Sequence, residues 1–213
     1  MNPSTKQATW AVMLGFALTL ATATSGALGQ DKSAASGDWV SLFDGKTLSG
    51  WTSHDDTPGQ WKVEDGAITC SGPASHLFSP RGDYKNFKYR AEIKINDGGN
   101  SGMYFRTKKE KGFPKGYEAQ INSTQRDPVK TGSLYNHVPV KEILVPPDTW
   151  FTQEVEAVGD HIVIKVNGKT TVDYTDPKNS FTTGHFAFQH HDPTCKVMVK
   201  KIEVMELPDT KGK

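Results

Sequence analysis

Glu118, Gln120 and Asn122 alternate with Tyr117, Ala119 and Ile121. On an extended strand this alternation puts a carboxylate and two amides on one face and apolar groups on the other. A second run, Asn100 to Arg106, sends Tyr104 and Arg106 one way and Met103 and Phe105 the other. If the two strands pair, a carboxylate, two amides, a phenol and a guanidinium share one polar sheet face. Such a set suits a hydroxylated ligand. Glu118 is placed to act as a general base or to accept hydrogen bonds from sugar hydroxyls. Arg106 is suited to binding a carboxylate or stabilising a developing oxyanion. The bland alternatives are a solvated strand glutamate and a surface ion pair. A third run, Gly184 to Gln189, directs Phe186 and Phe188 to one face and His185, Ala187 and Gln189 to the other. His191 continues that parity and carries an imidazole that could exchange protons with a ligand. His190 and His191 are neighbours and point to opposite faces of a regular strand, which makes them poor joint metal ligands.

Other chemistries find little support. The chain has no Gly-x-Ser-x-Gly elbow, no phosphate loop, no His-Glu-x-x-His and no Cys-x-x-Cys pair. No ligand set for a metal is evident, although a divalent cation could replace Arg106 as stabiliser. The formal net charge of +1 gives no reason to expect nucleic acid or an anionic membrane surface as partner. The two cysteines, Cys70 and Cys195, fall in separate predicted strands. They are either a disulfide or two buried thiols.

The elements that must position these residues read as β throughout. Trp39 to Phe43 opens the domain. Trp61 to Val63 and Ala67 to Cys70 flank Asp65-Gly66, a strong hairpin signal. Phe87 to Ile95 alternates apolar and charged residues over its whole length. Trp150 to Val158, His161 to Val166 and Thr170 to Tyr174 form a meander turned by Gly159-Asp160 and Asn167-Gly168. Lys196 to Leu207 is the last strand. Thr124 to Val145, interrupted by Pro128, Gly132 and Pro139, reads as a long loop with short strand pieces. No amphipathic helix of three turns occurs after the N-terminal segment. Many short strands argue for an all-β sandwich or jelly roll.

The N-terminus has its own character. Lys6, an apolar stretch from Trp10 to Ala23 and Ala27-Leu28-Gly29 fit a secretory signal over residues 1–29. Residues 30–37 read as a flexible lead-in, 38–207 as one domain and 208–213 as a tail. The expected location is therefore periplasmic or extracellular, with no membrane span once the signal is removed.

Taken together, these motifs carry a family resemblance. Ser41 to Leu48 followed by Gly50-Trp51, then Asn100-Ser101-Gly102 with Phe105-Arg106, Gly116-Tyr117-Glu118 with Gln120-Ile121, Thr131 to Tyr135, and Gln189 with His191 resemble the 3-keto-disaccharide hydrolase domain family in order and spacing. The likeness covers nearly all of the chain after the N-terminal segment. It departs at Asn122 and His190, where acidic residues are common, and at Lys200, where arginine is common.

The resemblance implies a concanavalin-like jelly roll of two curved antiparallel sheets, with an oxidised glycoside on the concave face. A ketone at C3 of a sugar acidifies the C2 proton. Its removal gives an enediolate that expels the C1 oxygen, and water then adds. That route needs one base, one oxyanion stabiliser and one proton donor. It does not need the paired carboxylates of ordinary glycosidases. Glu118 has Gln120 and Asn122, not acids, at the next same-face positions, which agrees with such a route. Glu118 or His191 is then the expected base and Arg106 the stabiliser. Tyr104, Gln120, Asn122, Tyr135 and Gln189 are the expected sugar contacts. The competing readings are a non-catalytic carbohydrate-binding module on the same fold and a structural cell-surface domain.

Overall fold

A computed structural model describes Met1, residues 37–54 and residues 59–209. The segments expected to be a signal peptide and most of a lead-in lie outside the described residues. Among the described residues no helix is long and apolar enough to cross a membrane.

The domain is all β. Its strands are β1 (Val40–Ser41), β2 (Thr52–Ser53), β3 (Lys62–Glu64), β4 (Ala67–Thr69), β5 (Ser75–Phe78), β6 (Phe87–Ile95), β7 (Ser101–Thr107), β8 (Tyr117–Ile121), β9 (Phe151–Val158), β10 (His161–Val166), β11 (Lys169–Thr175), β12 (His185–His190) and β13 (Val197–Glu206). One sheet runs β11-β10-β9-β6-β13-β4-β3, with β1 also paired to β13. The other runs β2-β5-β12-β7-β8. Every pairing is antiparallel. This is the jelly-roll sandwich that the strand spacing predicts.

The larger sheet follows the alternation in its sequence. In β6, Phe87, Tyr89, Ala91, Ile93 and Ile95 are buried, and the residues between them are half-buried. Its outer face carries a lattice of partly exposed ion pairs, Lys88–Glu156, Arg90–Glu203 and Lys200–Glu92 among them. Each such pair is worth little by itself. Asp65-Gly66 and Asn167-Gly168 adopt positive φ at both positions, as the tightest hairpin turns require.

The smaller sheet breaks the alternation. β7 and β8 are buried at every position, because both of their faces are covered. Met103, Phe105, Tyr117, Ala119 and Ile121 enter the core between the sheets. Their other face carries polar groups. β5 has the same doubly buried pattern. It lies between Pro73 and Pro80 without alternation, so periodicity gives no sign of it. The free edge of β8 is closed by the long loop. Gln120 N donates to Ser133 O at 3.0 Å, Tyr135 N to Glu118 O at 2.9 Å and Gly132 N to Gln120 O at 3.2 Å. An edge covered in this way is protected from pairing with a foreign strand. Cys70 and Cys195 are buried free thiols, and burial pushes them up to about 12 and about 11.

Candidate functional site

The outward face of the smaller sheet forms the floor of a cavity of about 520 Å3, within the range of small-ligand sites. Tyr104 from β7, Glu118 and Gln120 from β8, and Gln189 from β12 lie on this floor. The register explains the grouping. Tyr104 is opposite Glu118 and Gly102 is opposite Gln120, while Ala187 faces Tyr104 on the other side. Side chains at directly opposed antiparallel positions share one face.

The motif Asn100-Ser101-Gly102 supplies three separate services. Asn100 lines the cavity and its Oδ1 accepts from Gln120 Nε2 at 3.1 Å. The Ser101 hydroxyl donates to the Gln189 carbonyl at 2.6 Å and ties β7 to β12. Gly102 leaves room for the Glu118 side chain, because a Cβ there would meet Glu118 Cδ at 2.7 Å. The carboxyl of Glu118 therefore lies over the neighbouring strand rather than projecting into solvent.

Glu118 is 9% exposed. Burial pushes its pKa up to about 8, against the favourable hydrogen bond with Tyr104, and the negative charge of Asp127 adds to the rise. Gln189 Nε2 donates to the Tyr104 hydroxyl at 3.2 Å, so Gln189, Tyr104 and Glu118 form one connected line. Burial and the adjoining carboxyl of Glu118 also hold the Tyr104 phenol well above its ordinary range. At neutral pH the floor is thus a mostly protonated carboxyl beside a neutral phenol.

The walls come from loops. Asp127, Tyr135, Asn136 and His137 descend from the long loop, Phe113 and Lys115 from the β7–β8 connection, Phe181 from the β11–β12 connection, and His191 from just past the end of β12. His191 Nδ1 lies 3.0 Å from Asp192 Oδ2. Tyr135 approaches Asp127 Oδ2 at 3.5 Å.

Of the residues named from sequence, the structure gathers Tyr104, Glu118, Gln120, Tyr135, Gln189 and His191 around this cavity. It leaves out two. Arg106 is 1% exposed and does not line the cavity. Its φ of 49° marks a bulge, and the β7–β12 register shifts by one residue between Tyr104 and Thr107. The extra residue ends the alternation and turns Arg106 off the Tyr104 face. Its guanidinium donates to three backbone carbonyls: Lys85 O at 2.9 and 2.6 Å, Gly159 O at 2.6 Å and Phe181 O at 3.1 Å. It clamps three connections, one of which presents Phe181 to the cavity, and its own side chain lies outside the cavity lining. Asn122 is fully buried and also absent from the cavity lining. Its Nδ2 donates to Asp127 O at 3.1 Å and Val129 O at 2.9 Å, and its backbone N donates to Thr131 Oγ1 at 2.9 Å. It folds the loop that carries Asp127.

Sequence reasoning missed Asp127, Phe113 and Phe181. The strand positions after Glu118 hold no acid, yet the loop returns one to the same cavity. The other two family departures stand elsewhere. His190 is buried beneath the sheet and lies 3.1 Å from Gly72 O. Lys200 sits on the outer face of the larger sheet, 4.0 Å from the Trp150 ring centroid. Among the described residues no group of three or more His, Cys, Asp or Glu side chains is disposed to hold a metal ion.

The sequence profile of the 3-keto-alpha-glucoside-1,2-lyase-like domain family matches residues 38–205. A 3-keto-disaccharide hydrolase of Bacteroides thetaiotaomicron is 36% identical over 79 residues, which is 32% of this chain and 27% of that one. The chain thus matches about a quarter of that relative's length. A crystal structure from Parabacteroides distasonis, of a protein whose glycosyl hydrolase assignment is provisional, superposes with a TM-score of 0.68 at 24% identity, covering 80% of this chain and 94% of that one. The carbohydrate-binding module CBM66 from Bacillus subtilis superposes with a TM-score of 0.54 at 18% identity, over 74% of this chain and 96% of that one. At these identities the structural likenesses establish the fold alone.

Proposed function

The chain belongs to the 3-keto-alpha-glucoside-1,2-lyase-like domain family, and from that premise we propose that it cleaves the glycosidic bond of 3-keto-glycosides by elimination and hydration. The observation that carries this reading is Glu118, a single carboxyl held at the cavity floor with its proton affinity raised to about 8. A base of that strength suits a proton acidified by an adjacent ketone better than an ordinary carboxylate does.

In this reading ionised Glu118 removes the C2 proton. The electron pair of the broken C–H bond passes to the C3 oxygen as an enediolate, then returns to form the C1–C2 double bond as the C1 oxygen leaves. His191, at the cavity wall beside Asp192, gives the leaving oxygen its proton. Tyr135 and the remaining Gln120 N–H donate to the oxygen that gathers charge. Water then adds across the double bond, and net hydrolysis results. The N-terminal apolar segment supports an exported protein acting outside the cytoplasm.

Asp127 favours one second reading. Two carboxyls in one cavity, one protonated and one available as base, are the parts of ordinary glycoside hydrolysis. The test separates the two. Turnover of a 3-keto-glucoside, with no turnover of its unoxidised parent, is expected, and Glu118→Gln should lower kcat by at least about a hundredfold while binding persists. Turnover of the unoxidised glycoside would favour the carboxylate pair. Saturable sugar binding with no turnover of either would replace both readings with a binding module.

A further inference from the structure

We propose that Phe113 forms an outer subsite that receives a second ring, the leaving unit of a glycoside whose first ring lies over Glu118. The proposal rests on the reading of the cavity as a glycoside site.

Phe113 is 69% exposed. Apart from Met1, the large hydrophobic side chains exposed among the described residues are Val40, Phe113 and Ile143. Of these, only Phe113 is aromatic and only Phe113 lines the cavity. Its ring is braced by two imidazoles. It lies 6.2 Å from the His76 ring at 76° and 6.1 Å from the His191 ring at 49°. These contacts hold the ring in place while most of it stays open to solvent.

The loop beneath it is fastened at its base. Lys108 N and the Thr107 hydroxyl both donate to Lys115 O, at 2.9 and 2.8 Å, and Lys115 N donates to Glu110 Oε1 at 2.7 Å. Gly112 takes a φ of 71° and Pro114 is buried. Gly116 lets the returning chain lie against β7, since a Cβ there would meet Thr107 Cα at 2.7 Å. An aromatic ring held out from a stapled loop has its ordering cost met before any ligand arrives.

The position of Phe113 assigns the ligand class. The inner cavity offers a carboxyl, amides and phenols, which match the hydroxyls of one sugar ring. The outer wall offers an aromatic face next to His191, the group proposed to protonate the leaving oxygen. A ring joined through that oxygen comes to lie against Phe113. The shared chemistry is a ring with an apolar face, whether a pyranose presenting its C–H bonds or an aromatic aglycone. Lys115 adds a cation at the same wall, which suits hydroxyl or phenolate oxygens on that second ring.

The test compares leaving groups. Wild type, Phe113→Ala and Phe113→Trp are assayed on a 3-keto-disaccharide, on 4-nitrophenyl 3-keto-glucoside and on methyl 3-keto-glucoside. The ratio of kcat/KM for each ring-bearing substrate to that for the methyl glycoside should fall about tenfold in Phe113→Ala and return in Phe113→Trp. A ratio unchanged in Phe113→Ala overturns the subsite, whatever happens to the absolute rates. A fall confined to the nitrophenyl substrate assigns an aromatic aglycone, and a fall confined to the disaccharide assigns a sugar. Calorimetry on the unoxidised disaccharide and its methyl monosaccharide gives the same ratio as binding constants. If no ketoglycoside is turned over, the reaction fails but the subsite still stands or falls on that ratio.

Discussion

Glu118 lies across Gly102, the residue one strand away and two positions before its own partner Tyr104, and depends on the missing side chain there. A methyl group at position 102 would have to displace the carboxyl or push the strands apart. Gly102→Ala is therefore expected to lower kcat/KM by about a hundredfold while costing about 1–3 kcal/mol of stability. Activity assays set beside a urea titration check this. Full activity in a folded Gly102→Ala protein would mean that the position of Glu118 does not matter.

The raised proton affinity of Glu118 has a signed effect on stability. Its folded pKa of about 8 lies above the unfolded value of 4.5, so between those limits the folded state holds more proton than the unfolded state. Stability must then fall as pH rises from 4.5 to 8, by about 1.4 kcal/mol per pH unit where the slope is fullest, and level off above 8. Glu118→Gln removes this contribution. Its Tm relative to wild type should climb between pH 5 and about pH 8.5, as thermal melts across that range will record. Parallel curves for the two proteins would remove the shift.

Asp127 raises the Glu118 pKa through its charge, second to burial. Under the elimination route kcat/KM should rise toward about pH 8 as the base ionises, and a fall at higher pH reports the proton donor to the leaving oxygen. Asp127→Asn should move that midpoint to lower pH and leave a substantial rate. Loss of nearly all activity at every pH would instead favour the carboxylate-pair reading.

Arg106 holds Lys85, Gly159 and Phe181 by their carbonyls. Lysine cannot span three acceptors with the planar fork that arginine provides. Arg106→Lys should cost about 3 kcal/mol by denaturant titration, since buried carbonyls lose charged donors. It should also raise KM more than it lowers kcat, because the Phe181 wall loosens while Glu118 stays. A collapse of kcat with stability intact would restore a direct role for the guanidinium.

The same residues mark how far the sequence is legible. β6 and the meander of β9, β10 and β11 could be read because one face meets solvent and the other the core, so burial writes a period of two into the residues. β5 could not, because both of its faces are buried and no contrast remains. The polar face of β7 and β8 was readable up to Phe105 and failed at the next residue. Parity assumes an unbroken pleat, and one inserted residue at the bulge reverses it. Asp127 was out of reach for another reason. Its place depends on a side-chain amide, Asn122, gathering a loop, and no periodicity records such a contact. Phe113 stands alone among lysines, where an aromatic has no neighbours of its kind to form a pattern.

The cavity floor is made by paired strands, and its walls hang from four connections, three of them with a fastening of their own. Asn122 gathers one, Lys115 and Glu110 close another, and Asp176 caps the third through Tyr117, Lys178 and Ser180. Such a division makes the cavity modular. A change confined to one wall can alter ligand range while the strand pairing that carries Glu118 is kept, and only a change at Asp127 also resets the proton affinity of that carboxyl.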